Sequence, residues 1–258
     1  MKEYVNTFMH YRFLLRELVK KGIKLKYRRS YLGIIWSLLE PLLTMMVLTI
    51  VFGTLFGNKD KTFPVYILTG RLLYSYYSSS TTRALKSVRA NAAMIKKVYV
   101  PKYIYPLTRI MSSLINMLIS LIPLAAVAIF SGLLPNKTYF LLPFPLLCLA
   151  LFCLGLGMLL ASAMVFFRDI QFLWGVLTTI WMYLTPIFYP ITALPETIQS
   201  VVKMNPLYFY VTFLRSCVID GLSPEPSMYV QCAAVAFITL AIGAFTFKKS
   251  QDNFVLYL

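Results

Sequence analysis

Long apolar runs alternate with short basic stretches along this chain. Six runs approach the ~20 residues a helix needs to cross hydrocarbon: 32–56, 64–82, 105–130, 139–166, 170–189 and 228–247. The second is polar for a span and rich in Tyr and Ser. The pattern predicts an all-α membrane protein with six transmembrane helices, and an even number of crossings puts both termini on one side. Two further segments do not read as spans. Within residues 1–31, Tyr4, Phe8, Tyr11, Leu14, Leu15 and Leu18 recur at helical spacing, with Arg12, Arg16, Lys20 and Lys24 opposite them. That predicts an amphipathic interface helix lying in the headgroup plane. Residues 191–220 are moderately apolar but interrupted by Pro195 and Pro206. They read as short re-entrant helices before the last span.

Composition agrees with a lipid environment. Apolar residues make up 59% of the chain and charged residues 13%, against about 45–50% and about 25% in soluble domains. The net charge of +16 would point to nucleic acid in a soluble protein. Its placement gives another explanation. Of 25 basic residues, nineteen fall in 1–31, in 83–109, at Arg168, and at Lys248 and Lys249. These segments share one side in the six-span topology, which the positive-inside rule makes cytoplasmic. Nucleic-acid binding thereby loses its main support. Residues 1–30 lack the short apolar core and small-residue cleavage site of a secretory signal. Cys148, Cys153, Cys217 and Cys232 form no CxxC pair, and His10 is the sole histidine. The cysteines read as small buried hydrophobes rather than metal ligands.

Chemistry is conspicuous by what is missing. The nearest approach to a Walker A loop is Gly57-Asn58-Lys59, but Asp60 stands in place of the Ser or Thr, and position 52 is Phe. No paired acids, nucleophile–base set or metal cluster is legible. The chain therefore reads as a non-enzyme, and uphill movement of a cargo would draw on another chain or an ion gradient. Ionisable groups inside spans mark function by default. Here they are Glu40, about 13 Å into the first run, and Arg71, about 10 Å into the second at 1.5 Å per residue. A structural ion pair and a pore-facing role are both open. Pro41 can kink the first span beside Glu40.

The stretch KYRRSYLGIIWSLLEPLLTMMVLTIVFG, from residue 26, resembles the first span of ABC-2 type polysaccharide exporter permeases. YILTG at 66–70, NAAMIKKVYVPKYIYPL at 91–107, FFRDI at 166–170, TPIFYP at 185–190 and NPLYFYV at 205–211 follow in the same order. Together they cover nearly the whole chain, with residues 32–258 as the six-span transmembrane domain. The resemblance implies a homodimer in the bacterial cytoplasmic (inner) membrane, bound to two cytoplasmic ABC ATPases. ATP and Mg would sit on those partners, with no cofactor on this chain. A coupling helix at about 86–99 would dock on the ATPase through Arg89, Asn91, Met94, Ile95 and Lys96. Arg168 and Asp169 would be a second contact; alternatively Asp169 caps the next helix and Arg168 follows the charge rule.

The cargo implied by this resemblance is a lipid-linked polysaccharide, such as an O-antigen or a teichoic-acid-like polymer. Lys26, Arg28 and Arg29 are candidates for a phosphate gate, since Arg suits bidentate phosphate recognition. Glu40, Arg71, Tyr74, Tyr77, Trp181, Tyr183 and Tyr189 are candidate channel-lining residues. Aromatic faces suit sugar C–H surfaces, although a membrane-interface belt would also enrich Trp and Tyr. An ABC-2 exporter of a lipid or drug shares this architecture. A membrane-embedded glycan-processing enzyme would need surface acids, and the loops predicted to be cytoplasmic offer almost none beyond Asp169.

Overall fold

A computed structural model describes residues 2–27, 32–55, 57, 60–98 and 100–257, with side chains from residue 11 onward apart from 25–27 and 34. The described residues are helical throughout their regular structure, with no strand among them. The helices are α1 (Lys2–Tyr27), α2 (Trp36–Leu55), α3 (Phe63–Ala90), α4 (Ala92–Ile95), α5 (Ile104–Phe130), α6 (Pro143–Phe166), α7 (Ile170–Leu184), α8 (Glu196–Lys203), α9 (Pro206–Arg215), α10 (Pro226–Ser250) and α11 (Phe254–Tyr257).

Four segments among the described residues are long and apolar enough to cross a membrane: Trp36–Leu55, Ile104–Phe130, Lys137–Phe166 and Pro226–Tyr257. Length and composition thus support four crossings where the sequence pattern predicts six. The two others differ for opposite reasons. α7 is apolar but has 15 residues, about 22 Å of helix against a hydrocarbon core of ~30 Å. α3 has 28 residues, about 42 Å, but carries too many polar groups.

α3 is nonetheless central to the bundle. α3 packs against α2, α5, α6, α7 and α9, and Val65, Ile67, Leu68, Leu73, Ala84, Leu85 and Val88 are almost wholly buried along it. It continues to Ala90 rather than ending near 82, so Arg83, Lys86 and Arg89 are helical. The loop expected to hold a helix over 86–99 contains only the single turn α4.

Small residues bring other pairs together. A side chain at Gly155 would overlap the backbone of Thr239 and Leu240, and one at Gly243 would overlap the Gly155 carbonyl. α6 and α10 therefore meet backbone to backbone, as small residues permit between membrane helices. α1 packs on the first half of α5, where Ser112 Oγ donates to the Val19 carbonyl at 3.4 Å. Tyr11, Leu14 and Leu18 pack on a cluster that includes Val88, Ile95, Ile104, Tyr105, Phe247 and Phe254. This cluster gathers the described part of α1, the α3–α5 connection and the chain's C-terminal helices at one end of the bundle. Arg12, Arg16, Lys20 and Lys24 stay exposed, and Lys20–Glu17 (2.8 Å) is the sole ion pair among the described residues. All four cysteines are buried and unpaired.

Candidate functional site: a polar groove along α3

Polar residues recur at helical spacing on three neighbouring helices, α2, α3 and α5. On α3 they are Arg71, Ser75, Ser78, Ser79, Thr82 and Arg83, which occupy one side of the helix. On α5, Ser113, Asn116 and Ser120 lie at i, i+3 and i+7, with Arg109 one turn before Ser113. α2 contributes Ser37, Glu40 and Thr44. The three helices enclose a cavity of about 190 Å³ lined by these α2 residues, by Arg71, Ser75, Tyr76, Ser79 and Arg83, and by Ser113, Asn116 and Ser120. A second recess of about 290 Å³ follows α3 past Tyr74, Ser78 and Thr82. Arg71 and Arg83 bound both, about 18 Å apart along the axis.

Buried polar groups in proteins are nearly always hydrogen-bonded. In this cavity, Ser113 Oγ and Tyr76 OH are buried without a hydrogen-bond partner in the protein. By contrast, Ser120 Oγ donates to the Asn116 carbonyl (3.0 Å) and the Ser37 carbonyl (3.2 Å). Glu40 and Arg71 line the same cavity without forming an ion pair. Arg71 Nη1 instead approaches Met182 Sδ on α7 at 3.8 Å. Glu40 and Ser75 are exposed, so the cavity opens to the surface. The arrangement offers hydroxyls and cations, with one carboxylate, along a path through apolar helices. It can bind and pass polar, hydroxyl-rich or anionic groups.

A second polar centre lies at the opposite end of α3 from the α3–α5 connection. Arg215, 8% exposed, donates from Nη1 to the Pro186 carbonyl (2.7 Å), and from Nη2 to the carbonyls of Tyr66 (2.9 Å) and Ile187 (3.2 Å). Tyr66 OH donates to the Tyr189 carbonyl at 2.9 Å. Asn205 accepts from Trp181 Nε1 (2.8 Å), donates to Thr185 Oγ1 (2.8 Å) and caps α9 through Leu207 N–H (2.9 Å). These bonds fasten the turn 185–190 to α3 and α9. Arg215 belongs to the minority of cations on the predicted outer side, and charge counting gives no sign that it is buried.

The candidate residues read from sequence fall in several environments. Glu40, Arg71 and Tyr74 border the groove. Tyr77 is buried in the core, with Phe152 and Trp174 each 6.1 Å from its ring. Trp181 is tied to Asn205, Tyr183 is exposed, and Tyr189 OH donates to the Tyr183 carbonyl (2.6 Å). Arg28 and Arg29 lie outside the described residues; Lys26 is in the last turn of α1, and its side chain is not described. At the α3–α5 connection, Met94 and Lys96 are exposed while Ile95 is buried. Arg89 is half-buried, and Asn91 Nδ2 donates back to the Ser87 carbonyl (2.7 Å). Arg168 and Asp169 are exposed. Asp169 occupies the position before α7, but its side chain makes no capping bond, which corrects the capping expectation. The sequence reading missed Ser75, Ser79 and Arg83 as groove residues, and the α5 row Arg109, Ser113, Asn116. The signal was present as polar residues at i, i+4, i+7 within an apolar run.

Residues 14–219 match the ABC-2 type transporter family. The chain belongs to that family. Its relatives include an O-antigen export system permease from Myxococcus xanthus, 27% identical over 98% of both chains. Another from Klebsiella pneumoniae is 25% identical over 93% of both. A polysialic acid transport protein from Escherichia coli is 24% identical over 91% of this chain and 92% of its own length. The ABC-2 match spans the helices that build the groove, α2, α3 and α5, and continues through the turn held by Arg215.

Proposed function

We propose that this chain is the transmembrane permease subunit of an ABC transporter that exports a lipid-linked polysaccharide across the cytoplasmic membrane. The observation that carries the reading is the continuous hydroxyl-and-cation face of α3, a polar path in a membrane helix of an ABC-2 family chain. Polar groups at membrane depth are costly unless they face protein or water. A sugar polymer presents many hydroxyls, and rows of Ser, Thr and Asn offer it weak, repeated hydrogen bonds that allow sliding. The export permeases similar to this chain along almost their whole length support the same cargo class.

In this reading two copies form the pathway and two separate ATPase subunits supply the energy, with ATP and Mg bound there. The end of the bundle that carries α4, Arg89, Arg168 and Lys248 faces the cytoplasm. Asn91, Met94 and Lys96 form the contact with the ATPase, joined by Arg168 and Asp169, while buried Ile95 holds that turn to the bundle. α1 lies at the inner headgroup level, and Lys26, Arg28 and Arg29 meet phosphates before the first span. α3 and α7 complete six crossings. Exposed Tyr183 and half-buried Tyr189 and Trp181 stand near the exit. The test is reconstitution of the permease with its partner ATPase in proteoliposomes and measurement of ATP-dependent movement of a fluorescent lipid-linked glycan. The expected result is translocation that needs both subunits. Translocation without the ATPase, or none with it, rejects the reading.

A further inference from the structure

Arg83 and Arg109 lie at similar heights on the packed helices α3 and α5, near the end of the bundle shared with α4. Arg83 lies seven residues before the end of α3 and Arg109 five residues after the start of α5, about 10 Å and about 8 Å from that shared end. Both are half-buried. Neither has a hydrogen-bond or ion-pair partner among the described residues. Two neighbouring cations with no ion-pair partner are unfavourable unless an anion joins them; the carboxylate on the same cavity, Glu40, is exposed and pairs with neither. Arg83 also lines the cavity into which the unpartnered, buried Ser113 Oγ points, and Ser113 lies one turn from Arg109. Two planar guanidinium groups and a spare hydroxyl match the oxygens of a phosphate or pyrophosphate. Depth favours the same ligand. α3 and α5 are about 42 Å and about 40 Å long, exceeding the ~30 Å hydrocarbon core. With their other ends at the opposite surface, this pair falls at headgroup depth.

We propose that Arg83, Arg109 and the Ser113 hydroxyl form an oxyanion subsite of the phosphate class at the inner end of the α3 groove. It would hold the phosphate or pyrophosphate head that accompanies the cargo, one step beyond the basic run before α2. The subsite deepens the export reading and rests on it only for the identity of the cargo. Arg71, about 18 Å along the same face from Arg83, is a second cation on the path but has no partner arginine.

The test uses the full-length permease with its partner ATPase in phosphatidylcholine nanodiscs. Binding of undecaprenyl pyrophosphate is compared with that of undecaprenol, which has the same tail and no anion. The expected result is a preference for the pyrophosphate on the order of tenfold, lost in Arg83→Gln with Arg109→Gln and partly retained in Arg83→Lys with Arg109→Lys. Equal binding of the two lipids by the wild-type complex overturns the subsite without any variant. So does a preference unchanged in a folded Gln pair. Inorganic pyrophosphate identifies the source. Displacement of the lipid at micromolar concentration assigns the subsite to the free anion, and resistance at that concentration assigns it to the lipid head; each supports the subsite once the variants have responded. ATP-driven glycan export, measured on the same complex, separates the two ideas. Binding preference without export rejects the export reading and keeps the subsite; export without preference does the reverse.

Discussion

The guanidinium carbon of Arg215 lies 3.4 Å from the centroid of the Tyr66 ring. The same guanidinium holds three backbone carbonyls, two of them in the turn 185–190. Arg215 thereby joins α9 to α3 and to that turn with a planar, multidentate donor that no other side chain reproduces. A charge-assisted hydrogen bond contributes ~1.5–3 kcal/mol and a desolvated cation–π contact ~2 kcal/mol. Arg215→Met removes all of them and leaves buried carbonyls short of donors, so a loss of about 3 kcal/mol or more is expected. Arg215→Lys should recover only part, because an ammonium cannot span the same acceptors. The four buried, unpaired cysteines provide the readout. Thermal unfolding in detergent followed with a thiol-reactive fluorophore should show the order wild type, Lys, Met. An unchanged melting temperature for Met would mean the clamp is not a structural tie.

Gly243 and Gly155 make a sharper packing prediction, because the same protein carries a control. A methyl at Gly243 would overlap the Gly155 carbonyl, and backbone cannot step aside as a flexible side chain can. A methyl at Gly175, in α7, would meet nothing within 4 Å. Gly243→Ala should force α10 off α6 and cost about 1–3 kcal/mol, the usual range for overpacking. Gly175→Ala should be neutral or stabilising by up to ~1 kcal/mol through helix propensity. Side-by-side melting curves decide it; a Gly243→Ala protein as stable as Gly175→Ala would show that the two backbones do not meet this closely.

Apolar run length was a sound guide where burial and lipid exposure demand the same residues. α2, α5, α6 and α10 fall where the apolar runs place them. α3 departs from the pattern because its apolar residues face the bundle while Ser75, Ser78, Ser79 and Thr82 face the groove, so averaged hydropathy dilutes both faces. Its extension to Ala90 was also hidden, since Arg83, Lys86 and Arg89 look like loop charges in sequence. The candidate site was half legible. Glu40 and Arg71 stand out as charges in spans. Ser113 and Asn116 do not, because the spacing of a small polar row in a span takes on meaning only beside the row that a neighbouring helix presents. Tyr77 has the composition of a channel residue, but its position on α3 turns it towards Phe152 and Trp174. The burial of Arg215 depends on tertiary closure of residues far apart in the chain, which neither periodicity nor charge counting reports.

The single-turn α4 separates stability from coupling within two adjacent residues. Ile95 is buried against Val88, Val100 and Ile104, whereas Met94 is exposed. Ile95→Glu puts an unpaired carboxylate in that cluster and should destabilise by several kcal/mol. Met94→Glu should stay within ~0.5 kcal/mol of wild type, as exposed substitutions usually do. If this turn meets the ATPase, Met94→Glu should still weaken co-purification and substrate-stimulated ATP hydrolysis, because an apolar contact becomes a charge. Pull-down stoichiometry and ATPase rates at matched protein levels check both. A Met94→Glu complex with full stimulation would move the ATPase contact elsewhere, with Arg168 and Asp169 the next residues to test.

Ser75 gives the most direct test of the groove as a path. It is exposed on the polar face of α3, lines both recesses and borders the core without entering it. Ser75→Leu replaces a hydroxyl with an isobutyl group and narrows the recess. Because the site is exposed, the fold should tolerate the change to within ~0.5 kcal/mol. Export should not. A passing polymer that loses one hydrogen bond of ~1 kcal/mol at each register slows by about fivefold, and the added bulk slows it further. Ser75→Thr keeps the hydroxyl and should stay within about twofold of wild type on the same argument. Initial rates of ATP-driven glycan translocation in proteoliposomes, normalised to folded protein, give the comparison. If Leu and Thr export equally well, the cargo does not travel along this face. If both fail at normal stability, the constraint at position 75 is volume, and the hydrogen-bonding account of the groove is wrong.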